Sequence, residues 1–321
     1  MKRLIFTGVA VASVLALSAC GGSTSTGTTT GDSATITKIS VGSIPIACDA
    51  PIHLGQKLGY FGDEGLELDL QKITGGAAAV PSVVKGDWQF AVSNLVSIMV
   101  ARDKGLDLKF VTPDCSSNGS TEIDATAVVV TAGSPIKTPA DLAGKTVSVN
   151  TLANIGDTTV SYSVEQDGGD PSTVKFVEIA FPDAEAALNT GQVDAAWIAE
   201  PFLTKAISAG ARLVANTYVA VSPDLNIDGY FALGDTIKNK PELVKKFQNA
   251  MKKSIEYAAS HPDEVRDIVG TFTTIKEDLR AKMILNGFAS TFDRDAIEKL
   301  GDAAFRYGTL SKAPNLDDLL P

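Results

Sequence analysis

The chain has 321 residues, of which 44% are hydrophobic, and a formal net charge of −10 at pH 7. Its length allows two domains of ordinary size. The acidic balance disfavours binding to nucleic acid or to an anionic membrane surface. The sequence contains 2 histidines and 3 cysteines, which is little material for a zinc site or a catalytic triad. We therefore expect no metal, no cofactor and no nucleic-acid partner, and an enzyme is not the first hypothesis.

The first residues have the pattern of a secretory signal. Lys2 and Arg3 precede the uncharged stretch Leu4–Leu17, which is shorter than the roughly 20 apolar residues that a membrane-spanning helix needs. The run closes on Leu-Ser-Ala-Cys at Cys20. This ending resembles the bacterial lipoprotein signal, in which the cysteine receives a diacylglycerol group and becomes the new N-terminus. An ordinary signal followed by an accidental cysteine is the alternative. We expect residues 1–19 to be the signal peptide and Cys20 to be the lipidation site.

Residues 20–37 are predicted to form a flexible tether. Gly21–Ser33 consists almost wholly of Gly, Ser and Thr, a composition that buries no core. Such a tether lets a folded body stand off from a membrane and reorient. The expected location is therefore the outer face of the cytoplasmic membrane, at the cell surface or in the periplasm, with the protein held by its lipid.

Beyond the tether, strands alternate with helices. Ile39–Ile46 predicts a strand, and the Asp-Ala-Pro sequence after it is typical of a helix start. Leu66–Gln71 alternates with period two, which indicates a strand with one wet face at a sheet edge. Ala77–Lys85 predicts a helix and Phe90–Val92 a short buried strand. The order of elements is therefore βαβαβ.

The same order returns later in the chain. Thr146–Val149, Val174–Ile179 and Ala195–Ile198 predict strands, and Asp157–Gln166 and Ala184–Thr190 predict helices. Strands that alternate with helices indicate parallel sheets covered on both faces. The remainder is predicted to be helical, over Pro241–Ser260, Asp263–Val269, Lys276–Phe288 and Asp293–Tyr307.

Several motifs in this order carry a specific resemblance. They are Gly59-Tyr60-Phe61 with Glu64-Gly65-Leu66, Pro135-Ile136, Pro139–Lys145, Gly191–Ala195 and Glu200-Pro201. Together they resemble the nitrate, sulfonate and taurine solute-binding family, which also includes binders of thiamine precursors. The resemblance covers about Ile39 to Phe305. Gln89 departs from it, because such proteins often carry Asp there.

This resemblance implies a type II periplasmic-binding-protein fold, with two Rossmann-like α/β lobes of mainly parallel strands joined by two crossing strands. The crossings are expected near Val130–Ser134 and Ala220–Asp228. The first lobe would comprise residues 38–131 and 225–321, and the second lobe residues 132–224. The implied role is to deliver a small nitrogen- or sulfur-containing molecule, or an oxyanion, to the membrane permease of an ABC importer and its ATPase. We expect a monomer.

Ligands of such folds lie outside the carboxyl ends of the strands, where helix N-termini offer free N–H groups. That rule selects residues that follow the predicted strands of each lobe, together with an aromatic residue near the return crossing. The candidates are Cys48, Asp49, His53, Gly75, Gly76, Ser93 and Asn94 in the first lobe, Asn154, Gly156, Asp157, Thr158, Trp197 and Glu200 in the second, and Tyr230.

Each candidate also has a structural interpretation. Asp49, Ser93 and Asp157 can cap helices, the glycines can serve turns, and Trp197 can be part of the core. The set contains no Lys or Arg. If Asp49 and Glu200 face the cleft, a neutral or cationic ligand with hydrogen-bond donors is favoured, whereas the family resemblance favours an oxyanion. Both remain open.

Cys48 supports two further hypotheses. It lies where a strand meets a helix N-terminus, with His53 near in sequence, a setting that can activate a thiol for a desulfinase-like reaction. Export to an oxidising compartment instead favours a disulfide between Cys48 and Cys115.

Overall fold

The computed structural model describes residues 36–321, which form one compact unit. The predicted signal peptide, Cys20 and nearly all of the predicted tether lie outside the described residues. None of the helices between residues 36 and 321 has the length and apolar character that crossing a membrane requires.

The strands belong to two sheets of five strands each. In chain order they are β1 Thr37–Ser43, β2 Leu66–Lys72, β3 Phe90–Asn94, β4 Leu108–Pro113, β5 Thr126–Val130, β6 Thr146–Val149, β7 Lys175–Glu178, β8 Ala195–Ala199, β9 Arg212–Ala215 and β10 Asp228–Leu233. The first sheet has the order β2-β1-β3-β10-β4 and the second the order β7-β6-β8-β5-β9. All strands of each sheet run in one direction except β10 and β5, which are antiparallel to both of their neighbours. The predicted pair of mainly parallel α/β lobes is confirmed.

Helices cover these sheets. They are α1 Ala50–Lys57, α2 Tyr60–Asp63, α3 Gly76–Lys85, α4 Leu95–Asp103, α5 Ile155–Gln166, α6 Phe181–Asn189, α7 Phe202–Ser208, α8 Thr217–Val221, α9 Gly234–Asn239, α10 Pro241–Ser260, α11 Pro262–Phe272, α12 Glu277–Arg280, α13 Arg294–Arg306 and α14 Leu316–Leu319. The apolar face of α10 lies on the first sheet, where Phe247 stacks on Phe90 of β3 with ring centroids 4.1 Å apart. β2 forms a sheet edge, and its first residues alternate between buried and exposed as predicted.

The first crossing lies earlier in the chain than we predicted. β5 pairs with β8 and β9, so residues 126–130 belong to the second lobe and the predicted boundary at residue 131 is wrong. The chain instead passes between the lobes over residues 114–125 and returns over residues 222–227. The two passages contact each other, since Ser117 N donates to Leu225 O at 2.8 Å and Ile227 N donates to Cys115 O at 3.0 Å.

The helix predicted over Lys276–Phe288 is also mostly absent, because only the turn α12 is helical. The backbone that follows makes long-range bonds instead. Gly287 and Ser116 exchange two N–H···O hydrogen bonds, at 3.1 and 2.8 Å. The C-terminal segment therefore joins the crossing as a third strand-like stretch, and its N–H groups are not available to a helix.

Candidate ligand-binding site

A cavity with a volume of about 30 Å³ lies between the lobes, at the ends of strands from both sheets. With the lobes this close it has room for about one or two water-sized groups, so a larger ligand needs the lobes further apart. The first lobe and the C-terminal segment line it with Ile44, Ile46, Cys48, Gly76, Asn94, Ile227, Asp228 and Asn286. The second lobe contributes Thr126, Asn150, Ile155, Phe181, Trp197, Ala199, Glu200 and Tyr218. The predicted residues that line the cavity are thus Cys48, Gly76, Asn94, Trp197 and Glu200.

Asp49 and Tyr230 were predicted to contact the ligand, but both point into the first lobe and not into the cavity. Asp49 accepts hydrogen bonds from the hydroxyls of Ser43 and Tyr230 and from Ile44 N, the last at 2.9 Å. Tyr230 is fully buried and packs edge-on against Phe247. Burial raises the pKa of Asp49 to about 7. Its hydroxyl partners favour the charged form but do not offset the loss of water.

His53 also lies away from the cavity lining. Its Nε2 is 3.1 Å from Ser43 Oγ, and its ring stacks on Phe272 with centroids 3.9 Å apart. Burial lowers the pKa of His53 to about 4, so the imidazole is neutral at physiological pH. It extends the polar cluster around Asp49 and supports an aromatic side chain at the surface of the lobe.

The second-lobe candidates around the start of α5 act mainly as caps. Asn154 Oδ1 accepts from Ile155 N at 2.8 Å, and Asp157 accepts from Asn154 N and Ala153 N, each at 2.6 Å. Asn154 also contacts the first lobe, since its Nδ2 donates to Ser97 Oγ at 2.8 Å. Thr158 Oγ1 lies 3.3 Å from Thr309 Oγ1. Asn154 and Thr158 thus contact the other lobe, whereas Asp157 only caps α5, and none of the three lines the cavity.

The remaining candidates affect the cavity through the way their surroundings pack. Ser93 is buried and donates to the carbonyl of Asn94 at 3.1 Å. A Cβ atom on Gly76 would lie 2.5 Å from the Cα of Ser93, and one on Gly156 would lie 3.0 Å from the ring of Trp197. Glycine is therefore required for the close approach of α3 and α5 to these neighbours. Gly75 faces Thr151 of the other lobe, whose Oγ1 would be 3.0 Å from an added Cβ.

Aromatic side chains of the second lobe form one wall of the cavity. The Trp197 ring contacts Phe181 at 5.6 Å and Tyr218 edge-on at 5.9 Å, measured between centroids. Trp197 Nε1 donates to Thr217 Oγ1 at 3.0 Å. Because its polar atom is satisfied within the lobe, the indole presents an apolar surface to the cavity.

The carboxylate of Glu200 is held by the protein itself. Oε1 accepts from Thr204 Oγ1 at 2.6 Å and from Ile284 N at 3.0 Å, and Oε2 accepts from Thr204 N at 3.1 Å. Burial nevertheless raises the pKa of Glu200 to about 7. Its oxygens are thus largely occupied by two bonds within the second lobe and one from the C-terminal segment.

Asp228 has a different environment. Its Oδ2 is 3.2 Å from Cys48 Sγ, and burial raises the pKa of Asp228 to about 7. Cys48 is bonded to Cys115, with Cα atoms 5.5 Å apart, and a disulfide sulfur carries no proton. The contact is therefore a hydrogen bond only when the carboxyl donates, which agrees with its raised pKa. No Lys, Arg or His is among the residues that line the cavity.

The disulfide bears directly on the enzyme hypothesis. Reaction at Cys48 needs a free thiolate, whereas here the sulfur is bonded to Cys115 of the first crossing. The nearest sequence partner proposed for it, His53, contacts Ser43 and Phe272 instead. The Cys48–His53 pair that this hypothesis needs is not assembled.

Sequence reasoning missed several residues of the site, among them Asn150, Tyr218, Asp228 and Asn286. Asn150 directly follows β6, so the rule that selects strand ends could have found it. Asp228 opens β10, and its position at the same sheet edge follows only once β10 is known to be antiparallel to its neighbours. No sequence pattern pointed to Asn286 as a site residue, because its segment was predicted to be helical.

Solved structures with the same fold include a ligand-binding component of an ABC-type import system from Staphylococcus aureus with zinc bound. Its TM-score is 0.77 at 14% identity, over 89% of this chain and 96% of that one. The alkanesulfonate-binding protein SsuA from Xanthomonas axonopodis pv. citri, bound to MOPS, has a TM-score of 0.74 at 13% identity, over 89% and 99%. The desulfurization enzyme DSZB has a TM-score of 0.62 at 18% identity, over 87% and 95%.

No curated protein matches the sequence. A family model does match, over residues 49–265, and its description is NMT1/THI5 like. The match spans both lobes and more than half of the chain, which confirms the type of family that the motifs indicated. The chain belongs to the NMT1/THI5-like family.

Proposed function

We propose that this chain is the solute-binding component of an ABC importer and that it binds a small neutral or cationic molecule with hydrogen-bond donors. The observation that carries the proposal is the cavity between the lobes, which is lined by Asp228 and Glu200 and by no basic side chain. A donor group of the ligand would reach Asp228, while a ring or short chain would lie against Trp197. The protein would perform no chemistry of its own.

An oxyanion ligand is the alternative, and the sulfonate bound by the Xanthomonas relative makes it worth testing. Helix N-termini can hold a small anion without basic side chains. In this cavity, however, the anion would lie near two buried carboxyls, and like charges at short range in a dry site repel strongly. Both carboxyls would have to remain protonated. A donor-bearing ligand has no such requirement.

The cellular setting is part of the proposal. Cleavage before Cys20 and lipidation of that residue would hold the protein at the outer face of the cytoplasmic membrane. Its partners there would be the membrane permease and the ATPase of the importer, and it would act as a monomer. The family resemblance and the Gly/Ser/Thr-rich tether support this arrangement.

A ligand screen by thermal shift tests the ligand class. The panel should contain primary amines, aminopyrimidines, taurine, nitrate and alkanesulfonates, and each hit should be measured by calorimetry. We expect amines or aminopyrimidines to raise the melting temperature. Stabilisation by nitrate or sulfonates alone would contradict the proposed ligand class. Recovery of a hit as an altered product after incubation would contradict the absence of chemistry.

A further inference from the structure

A second space adjoins the ligand cavity and is lined mainly by apolar side chains. Its volume is about 300 Å³. Ile44, Ile46 and Phe181 line both this groove and the cavity. These side chains therefore lie at the boundary between the two spaces, and a ligand that occupied both would have to pass them. Both spaces are bounded by the first lobe on one side and the second lobe on the other.

The walls of the groove are aromatic and well supported. Phe202 lies at the start of α7 and Phe272 at the end of α11. Phe272 stacks on His53, whose Nε2 is 3.1 Å from Ser43 Oγ. Ser43 in turn donates to the buried carboxyl of Asp49. The groove wall is thus anchored to the polar cluster of the first lobe.

The charges of the two spaces differ in sign. Asp228 and Glu200 line the cavity, whereas the charged residue of the groove is Lys72, which is exposed at the end of β2. A cationic group is attracted to the cavity and repelled at the groove. A ligand that occupied both spaces would therefore place its donor group inward and its apolar part outward.

We propose that the groove holds an apolar tail of the same ligand whose donor group reaches Asp228, so that the ligand class is an amphipathic amine. This inference rests on the proposed function. We assign the groove to this ligand because the groove and the cavity share lining residues and are bounded by the same two lobes. Closure of the lobes would then bury the tail together with the head.

The test uses the full folded protein and a series of n-alkylamines from ethylamine to octylamine, measured by calorimetry. Burial of each methylene in the groove should tighten binding about threefold to fourfold until the groove is filled. Thr74 lines the groove and is exposed, so Thr74→Trp should fill the groove without disturbing the core. Val84→Trp, at an exposed position on α3 that lines neither space, is the matched control.

We expect ethylamine to bind Thr74→Trp and the wild-type protein equally, and the gain with chain length to disappear in Thr74→Trp but persist in Val84→Trp. An affinity that does not change with chain length would overturn the inference while the proposed function stands. An equal gain in wild-type protein and Thr74→Trp would also overturn it, because the tail would then lie elsewhere. Failure of every alkylamine to bind would overturn the inference, and binding of an aminopyrimidine in the thermal-shift panel would show that the proposed function stands without it.

Discussion

The backbone N–H of Ile284 donates a hydrogen bond to Glu200 Oε1 at 3.0 Å. Glu200 follows β8 in the second lobe, whereas Ile284 belongs to the C-terminal segment that pairs with the first crossing. The Glu200 carbonyl also accepts from Ala47 N of the first lobe at 3.0 Å. Glu200 of the second lobe therefore binds two separate segments on the other side of the cavity, one around Ala47 and one around Ile284. These bonds hold the lobes closed over the cavity.

Glu200→Gln should weaken this closure. The amide can offer only one acceptor oxygen, so its NH₂ group must face at least one N–H or O–H that the carboxylate now accepts. We expect ligand affinity to fall about tenfold, which corresponds to one lost charge-assisted hydrogen bond, and X-ray scattering to show a larger radius of gyration. Glu67→Gln, in an exposed pair with Lys38, is the control. Unchanged affinity and radius would contradict this role for Glu200.

Asp228→Asn distinguishes the ligand classes. Because Asp228 lines the cavity and Glu200 is saturated by the protein, the loss of charge at residue 228 acts on the ligand most directly. A cationic ligand should bind about ten- to a hundredfold more weakly, while an anion should bind equally well or better. Calorimetry gives both values. Asp224→Asn, at an exposed position of the return crossing, is the control. Tighter binding of the native ligand to Asp228→Asn would exclude a cation.

Stability should fall as the pH rises towards 8. Burial raises the pKa of Asp49 and of Asp228 to about 7, from an ordinary value of 3.8. Between about pH 4 and 7 these two carboxyls bind more protons in the folded than in the unfolded state, so they make the free energy of unfolding decrease with pH in that window. His53, whose pKa burial lowers from 6.5 to about 4, opposes them only below pH 6.5. The contribution of the two carboxyls is complete below about pH 4 and lost above about pH 7. Urea unfolding at pH 5 and pH 8 should differ by at least about 1 kcal/mol.

Asp49→Asn should reduce that pH dependence, since asparagine does not titrate. Asp63→Asn is the control, because Asp63 lies at the exposed end of α2. A free energy of unfolding that rises between pH 5 and pH 8 would contradict the prediction and would show that His53, whose pKa burial lowers to about 4, outweighs the buried acids.

Loss of the disulfide should destabilise the fold. Cys48 and Cys115 are 67 positions apart, and on the chain-entropy view the closed loop contributes about 4 kcal/mol. We expect the double variant Cys48→Ser/Cys115→Ser to unfold at a correspondingly lower urea concentration. A reducing agent should destabilise the wild-type protein and leave the double variant unchanged. A rapidly titrating thiol at Cys48 in the exported protein would refute the pairing and revive the enzyme hypothesis.

The lipid anchor is tested by mass spectrometry of the N-terminal peptide from native membranes. The expected mass is that of a peptide that begins at Cys20 and carries a thioether-linked diacylglycerol. A Cys20→Ser variant should be released into the medium or the periplasm. An unmodified Cys20, or cleavage at another position, would contradict the anchoring proposal.

Local patterns in the sequence were sufficient to predict most of the helices and strands. The alternation in Leu66–Gln71 predicted both a strand and its place at a sheet edge, and Thr146–Val149 and Pro241–Ser260 were predicted with their observed bounds. Asp157 was recognised as a possible cap, and it forms a capping box with Asn154 at the start of α5. These features depend on neighbours a few residues apart, so the sequence contains their physical cause.

The sequence by itself determined the composition of the site at the strand ends, including Cys48, Asn94 and Trp197, and the absence of basic residues near them. Only the tertiary structure decided which carboxyl faces the cavity. Asp49 turns inward because Ser43, Ile44 and Tyr230 supply its hydrogen bonds there, and Asp228 reaches the cavity because β10 is inserted antiparallel between β3 and β4. Strand direction and the convergence of segments 180 residues apart follow from long-range packing, which no local pattern contains.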